Sequence, residues 1–155
     1  MKTITVVFLY FFAQLALAQK PTSFLHVEAG SGARFCENCD APYIPMLRVG
    51  WMKQIDSEAE LYVAAHVGTY WSNPGIGALL DANLQIYTVT ILQATSLFLI
   101  PEAGYALEFD PKNGGSPFLG GGVSFDSSLL VNTFRGWYLT RTKAWMLQVG
   151  IGIRI

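Results

Sequence analysis

Charge is what this sequence has least of. Only 14% of its 155 residues are Asp, Glu, Lys or Arg, against about a quarter in an average soluble domain. The net charge is −1 and no basic patch stands out, which leaves no support for nucleic acid as a partner. Cysteine is nearly missing as well. Cys36 and Cys39 form a single C-x-x-C. A zinc site takes about four ligands and only Glu37 and Asp40 lie nearby, so no metal and no cofactor is expected. A redox centre would sit beside a thioredoxin-like βαβ unit, and the pattern for one is absent. The default for such a pair on an exported chain is a disulfide that staples its loop. Beyond residue 18, no window is both long and apolar enough for a membrane helix.

The residues that are present include an export signal. MKTITVVFLYFFAQLALAQ has a basic Lys2, an apolar stretch around Ile4 to Phe12, and a small-x-small site at Ala16, Leu17 and Ala18. These are the three parts of a secretory signal peptide. Residues 1–18 are read as that peptide, cleaved before Gln19, and residues 19–155 as one domain. Gln14 interrupts the run before it reaches the roughly 20 apolar residues a spanning helix needs. Gln19 stands where a lipoprotein would carry cysteine. Loss of Lys2 shifts the balance from −1 to −2.

The remainder breaks into stretches of period two separated by turn residues, the rhythm of antiparallel strands. Eight are predicted, near 24–33, 44–54, 60–71, 78–88, 96–109, 117–126, 129–138 and 145–155. CENCDAP, SNPGIG, DPKNGGS and TRTK connect them at one end; QIDSE, TVTILQA and DSS connect them at the other. Connections this short imply hairpins between neighbours. Within strands the faces separate. Leu61, Val63, Ala65, Val67 and Trp71 oppose Tyr62, His66 and Tyr70; Leu80, Ala82, Leu84 and Ile86 oppose Asp81, Asn83 and Gln85. Leu47, Val49 and Trp51 oppose Arg48, and Leu97, Leu99, Tyr105 and Leu107 oppose Glu102.

A soluble sandwich turns its apolar face inward. Here the hydrophobic fraction is 52% and the mean hydropathy +0.35. With an export signal and no spanning helix, that surplus favours the inverse arrangement: an all-β, eight-stranded antiparallel transmembrane up-and-down barrel. Lipid forbids unpaired backbone, so the sheet must close. Trp51, Trp71, Trp137 and Trp145 lie near predicted strand ends, where interfacial anchors belong.

The closing stretch WMLQVGIGIRI carries a strict alternating stripe to Ile155. Gln148, Gly150, Ile153 and Ile155 resemble the C-terminal assembly signal of outer-membrane β-barrels, with Ile155 standing where that family usually ends on an aromatic. The pattern of the whole mature chain resembles the small eight-stranded members. The resemblance implies the bacterial outer membrane as location, with its lipid and the barrel-assembly machinery as partners.

Inside such a barrel the lumen is just wide enough for side chains. Hairpin pairing sets His66 across from Asp81, puts Arg48 near Glu28, and lets Glu102 approach Asp81. Glu28, Arg48, His66, Asp81 and Glu102 therefore form an expected lumen network, since buried charges must pair. A plugged barrel with short loops suits a non-enzymatic structural or accessory subunit of a larger outer-membrane complex. One alternative is a lipid-modifying enzyme, a lipid A acyl hydrolase or transferase, with His66 and Asp81 as base and orienting carboxylate. Acyl transfer needs a serine within reach of the histidine; Ser31, Ser96 and Ser124 are not placed at its height, and the His-x-Ser pair of lipid-A deacylase barrels is missing. A narrow pore is the other alternative. Three local features sit apart from this pattern. Gly120, Gly121 and Gly122 read as a site of curvature or close packing. Pro101, mid-strand in an edgeless sheet, predicts a bulge or a break at 100. In the seventh strand, Arg135 inward puts Leu130, Phe134 and Tyr138 outward.

Overall fold

The computed structural model describes residues 23–35, 43–72, 75–91, 95–108, 114–127 and 129–155. Residues 1–18 and the pair Cys36 and Cys39 lie outside these. Eight strands follow one another around a closed antiparallel barrel. They are β1 (Ser23–Phe35), β2 (Ile44–Asp56), β3 (Leu61–Ser72), β4 (Gly75–Ile91), β5 (Thr95–Glu108), β6 (Gly115–Ser127), β7 (Leu130–Leu139) and β8 (Ala144–Arg154). Closure joins β1 to β8 from His26↔Arg154 to Phe35↔Trp145. At the seam's end Leu25 and Ile155 exchange two backbone hydrogen bonds, both 2.8 Å. No backbone edge is left to face hydrocarbon, which is the condition for a sheet to cross a membrane.

Strict alternation decides which side chains point where. In β8, Trp145, Leu147, Val149, Ile151 and Ile153 are all exposed, while the residues between them are turned inward. The same parity exposes Leu47, Val49 and Trp51 on β2, and Leu80, Leu84 and Ile86 on β4. The outer wall is therefore a continuous apolar band, and charge is buried inside. This is the inversion that the hydrophobic surplus favours.

Three expectations are corrected. Trp137 is no rim anchor: it is buried in the lumen, because Arg135 two residues earlier must also face inward and parity carries Trp137 with it. Pro101 neither breaks nor bulges its strand. β5 runs through it, paired to Gly121 on one side, and the β4–β5 register is the same at Asn83↔Glu102 and at Ile86↔Leu99. The shift falls instead between Tyr87 and Val89, inside the stretch read as the TVTILQA connection. That stretch is strand as far as Ile91, since its β-branched residues extend β4 by a further turn-ward rung.

Glycines let the walls and the lumen fit. A Cβ on Gly50 would collide with the imidazole of His66; one on Gly77 would strike Tyr70, and one on Gly120 would strike Trp137 and the Gly136 carbonyl. The GGG stretch is thus a close-packing site: Gly122 has no room against Phe134 and Arg135 of β7. Gly136 is different. A Cβ there would press on the Leu147 side chain at 3.2 Å and touch the Met146 carbonyl at 4.0 Å.

Candidate functional site: a filled and layered lumen

The interior has three layers. At the end of the 36–42, 73–74, 109–113 and 140–143 connections, the loop end, it is apolar. Ile44, Met46, Tyr70, Leu79, Ala106, Phe118, Trp137, Leu139, Ala144 and Met146 form one buried cluster. At the opposite end, beside the 57–60 turn, Ser23 and Ile155, the residues Met52, Tyr62, Ala64 and Phe98 form a second, with Phe24 and Tyr87 against it. Between them lies a polar layer.

That layer forms a nearly closed circuit of polar contacts. Arg48 donates through Nη2 to Asp81 Oδ1 at 2.7 Å and to Glu102 Oε1 at 3.0 Å. Arg135 donates to Glu102 Oε2 at 3.1 Å and to Glu28 Oε2 at 2.9 Å. Asp81 Oδ1 lies 2.9 Å from His66 Nδ1, and His66 Nε2 lies 3.1 Å from His26 Nδ1. His26 Nε2 faces Glu28 Oε2 at 3.9 Å, beyond hydrogen-bond reach, so the circuit stays open at that one gap. With Asp81 accepting from His66 Nδ1, the His66 Nε2 lone pair must accept from His26 Nδ1–H. Glu28 also accepts from Thr133 Oγ1 at 2.9 Å and from Gln148 Nε2 at 3.1 Å. Arg48 stacks above Trp137, 5.6 Å from the ring centroid, and so ties the polar layer to the apolar one.

Each residue of the expected lumen network lies in this layer, though not always with the expected partner. His66 and Asp81 are register partners and bond directly. Glu28 and Arg48 are register partners, but Glu28 bonds Arg135 while Arg48 bonds the other two carboxylates. Glu102 and Asp81 meet through Arg48. A hairpin diagram is flat, and these bonds cross the lumen between strands far apart in the chain. Sequence reasoning passed over His26 and Thr133, which parity with Glu28 and with Arg135 would have placed inside. Gln148 faces the lumen, Gly150 leaves the space that Glu28 and Thr133 fill, and Ile153 and Ile155 face outward.

Among the described residues the polar neighbours of His66 are His26 and Asp81, which bond it, and Arg48 and Asn83, whose N–H groups lie 3.3 Å from Nδ1. None is serine, threonine or cysteine, so the acyl-transfer arrangement of nucleophile, base and orienting acid is not assembled around it. Among the described residues no group of His, Cys, Asp and Glu is placed to hold a metal ion. On the outer wall, β6, β7, β8 and β1 frame a shallow groove of about 620 Å³. Its floor includes Ser31, Ala33, Gly121 and Gly136, and Phe35, Phe134, Leu147 and Val149 form its sides.

A closed eight-stranded barrel, apolar outside and charged within, has counterparts of the same fold among solved structures. Neisserial surface protein A superposes with a TM-score of 0.54 at 14% identity, covering 87% of this chain and 97% of its own. The N-terminal β-barrel domain of Pseudomonas aeruginosa OprF gives 0.53 at 17%, covering 88% and 100%. Ail, the attachment invasion locus protein of Yersinia pestis, solved with the heparin analogue sucrose octasulfate, gives 0.50 at 14%, covering 86% and 97%. The chain has the fold of the small eight-stranded outer-membrane barrels. No protein-family model and no curated relative matches its sequence. The barrel covers nearly the whole length of each counterpart, so the likeness concerns the entire fold.

Proposed function

We propose that this chain spans the bacterial outer membrane as a sealed barrel and serves as a structural or accessory subunit, bound laterally to a larger outer-membrane complex. The filled lumen carries this reading. An apolar plug, a charged circuit and an aromatic cluster succeed one another along the axis, and among the described residues they leave no open passage and no assembled nucleophile. The short turns offer little surface to an outside ligand, so the outer wall is where a partner has most to touch. The groove supports that choice, because Gly136 on its floor is pressed only by the Leu147 side chain and not by main chain. Glycine weakens a strand, and its smallness there leaves room on the outer wall for a partner.

In this reading residues 1–18 direct export and are removed, the Cys36–Cys39 disulfide staples the first loop, and the loop end faces out of the cell. Gln148, Gly150, Ile153 and Ile155 present the last strand to the barrel-assembly machinery, and membrane lipid covers the rest of the wall. The test is extraction in mild detergent followed by native mass spectrometry. A membrane protein at fixed stoichiometry is expected, lost in Gly136→Leu while that variant still folds. A barrel that runs alone and monomeric under those conditions would overturn the reading.

A further inference from the structure

Arg154 is the last inward residue of β8, and it sits in a site of its own. Its guanidinium carbon lies 5.7 Å from the ring centroid of Phe98 and 5.8 Å from those of Phe24 and Tyr62. Nη2 donates to Gln85 Oε1 at 2.9 Å and to Asp126 Oδ2. The five partners come from β1, β3, β4, β5 and β6. Aromatic faces joined by a carboxylate are the means by which proteins hold guanidinium and quaternary ammonium groups. The site lies at the turn-end mouth, where Arg154 and Asp126 keep only 10% and 6% of their side chains exposed. By register its β1 partner is His26, the first member of the imidazole pair.

The main chain here does not depend on that side chain. Ile155 and Leu25 hold the seam through their own backbone bonds, and the rings of Phe24, Tyr62 and Phe98 pack against one another. Truncation at 154 thus empties a cage whose walls still stand. We propose that this cage is a binding site for a guanidinium-type cation, filled by Arg154 as a built-in stopper that keeps solvent from His26 and His66.

The experiment uses the whole folded barrel in detergent and diethyl pyrocarbonate, with modification of His26 and His66 read by peptide mass spectrometry. In the wild type both are expected to react slowly. Arg154→Ala raises the rate at least about tenfold, within the range that one part-buried cation–π contact is worth. Millimolar guanidinium chloride restores protection, whereas urea, its uncharged isostere, does not. Arg154→Ala combined with Asp126→Asn loses the rescue. Slow modification in Arg154→Ala, or equal rescue by urea, would overturn the proposal. Should Arg154→Ala not reach the folded form, Asp126→Asn alone replaces it: faster modification is expected, and unchanged protection sinks the idea.

Discussion

Glu28 and Arg48 face each other across the β1–β2 ladder, yet each finds its bonds elsewhere. Arg48 stands between Asp81 and Glu102, so its removal leaves two buried carboxylates without their shared counter-charge. Breaking a buried pair from one side costs about 3–5 kcal/mol. Arg48→Ala is expected to lose stability of that order in urea unfolding from lipid vesicles, followed by tryptophan fluorescence. A loss below about 1 kcal/mol, the level of a surface pair, would mean the circuit does not stabilise the barrel. The glycines make an opposed pair of predictions. Gly122→Ala must push against the Phe134 carbonyl, an overpacking worth about 1–3 kcal/mol. Gly136→Ala needs only a small shift of Leu147, and relief of glycine's chain entropy should leave it neutral or up to about 1 kcal/mol more stable. The same unfolding assay ranks the two, and equal losses would contradict the packing described.

At the scale of the strand, register is the quantity to check, because a slip of one residue would turn the circuit into the lipid. Ala29 and Ile151 face each other outward across the closing seam. Cysteines at these positions, in a chain with Cys36→Ser and Cys39→Ser, should form an intramolecular disulfide seen as a shifted band without reductant. Ala29 with Val149 should not. Much at this scale was legible in the sequence. Alternation in β3, β4 and β8 is so regular that faces, hairpins and the His66↔Asp81 rung follow from counting. It was less legible where two signals compete. Val131 and Trp137 are as apolar as Phe134 and Tyr138, so composition alone cannot orient β7, and only the cost of Arg135 in lipid chooses. Thr88 and Val89 look like a connection because the apolar–polar alternation stops after Ile86, whereas the bulge that accommodates them is a property of two strands together. Proline at 101 was overestimated as a breaker, since the β4–β5 register continues unchanged past it.

For the whole molecule, orientation of the tryptophans separates this barrel from an inside-out sandwich. Trp51, Trp71 and Trp145 are 58%, 42% and 55% exposed on the wall, and Trp137 is 1% exposed inside. In vesicles of lipids brominated along their acyl chains, single-tryptophan versions with residue 51, 71 or 145 should be strongly quenched. The Trp137 version should be spared. Quenching of Trp137 equal to the others would remove the sealed interior on which the proposed role depends. The candidate site was readable only in part for a reason of the same scale. Neighbours along the ladder can be counted from the chain, but Arg135 reaching Glu28, or Arg154 reaching Phe98, requires the circle to be closed first.

The apolar layer at the loop end has one more effect. Around it the strands are greasy on both faces: Met46 inside and Leu47 outside, Leu79 and Leu80, Phe118 and Leu119, then Trp145, Met146 and Leu147 in a row. Ordinary barrels of this kind dilute every second position with polar atoms, so their unfolded chains tolerate water. These segments do not, and runs of this type aggregate when left uncovered. On the proposed route to the outer membrane such a polypeptide tolerates little time uncovered, and its yield in the envelope should follow the supply of a periplasmic holding chaperone more steeply than that of a barrel with a watery core.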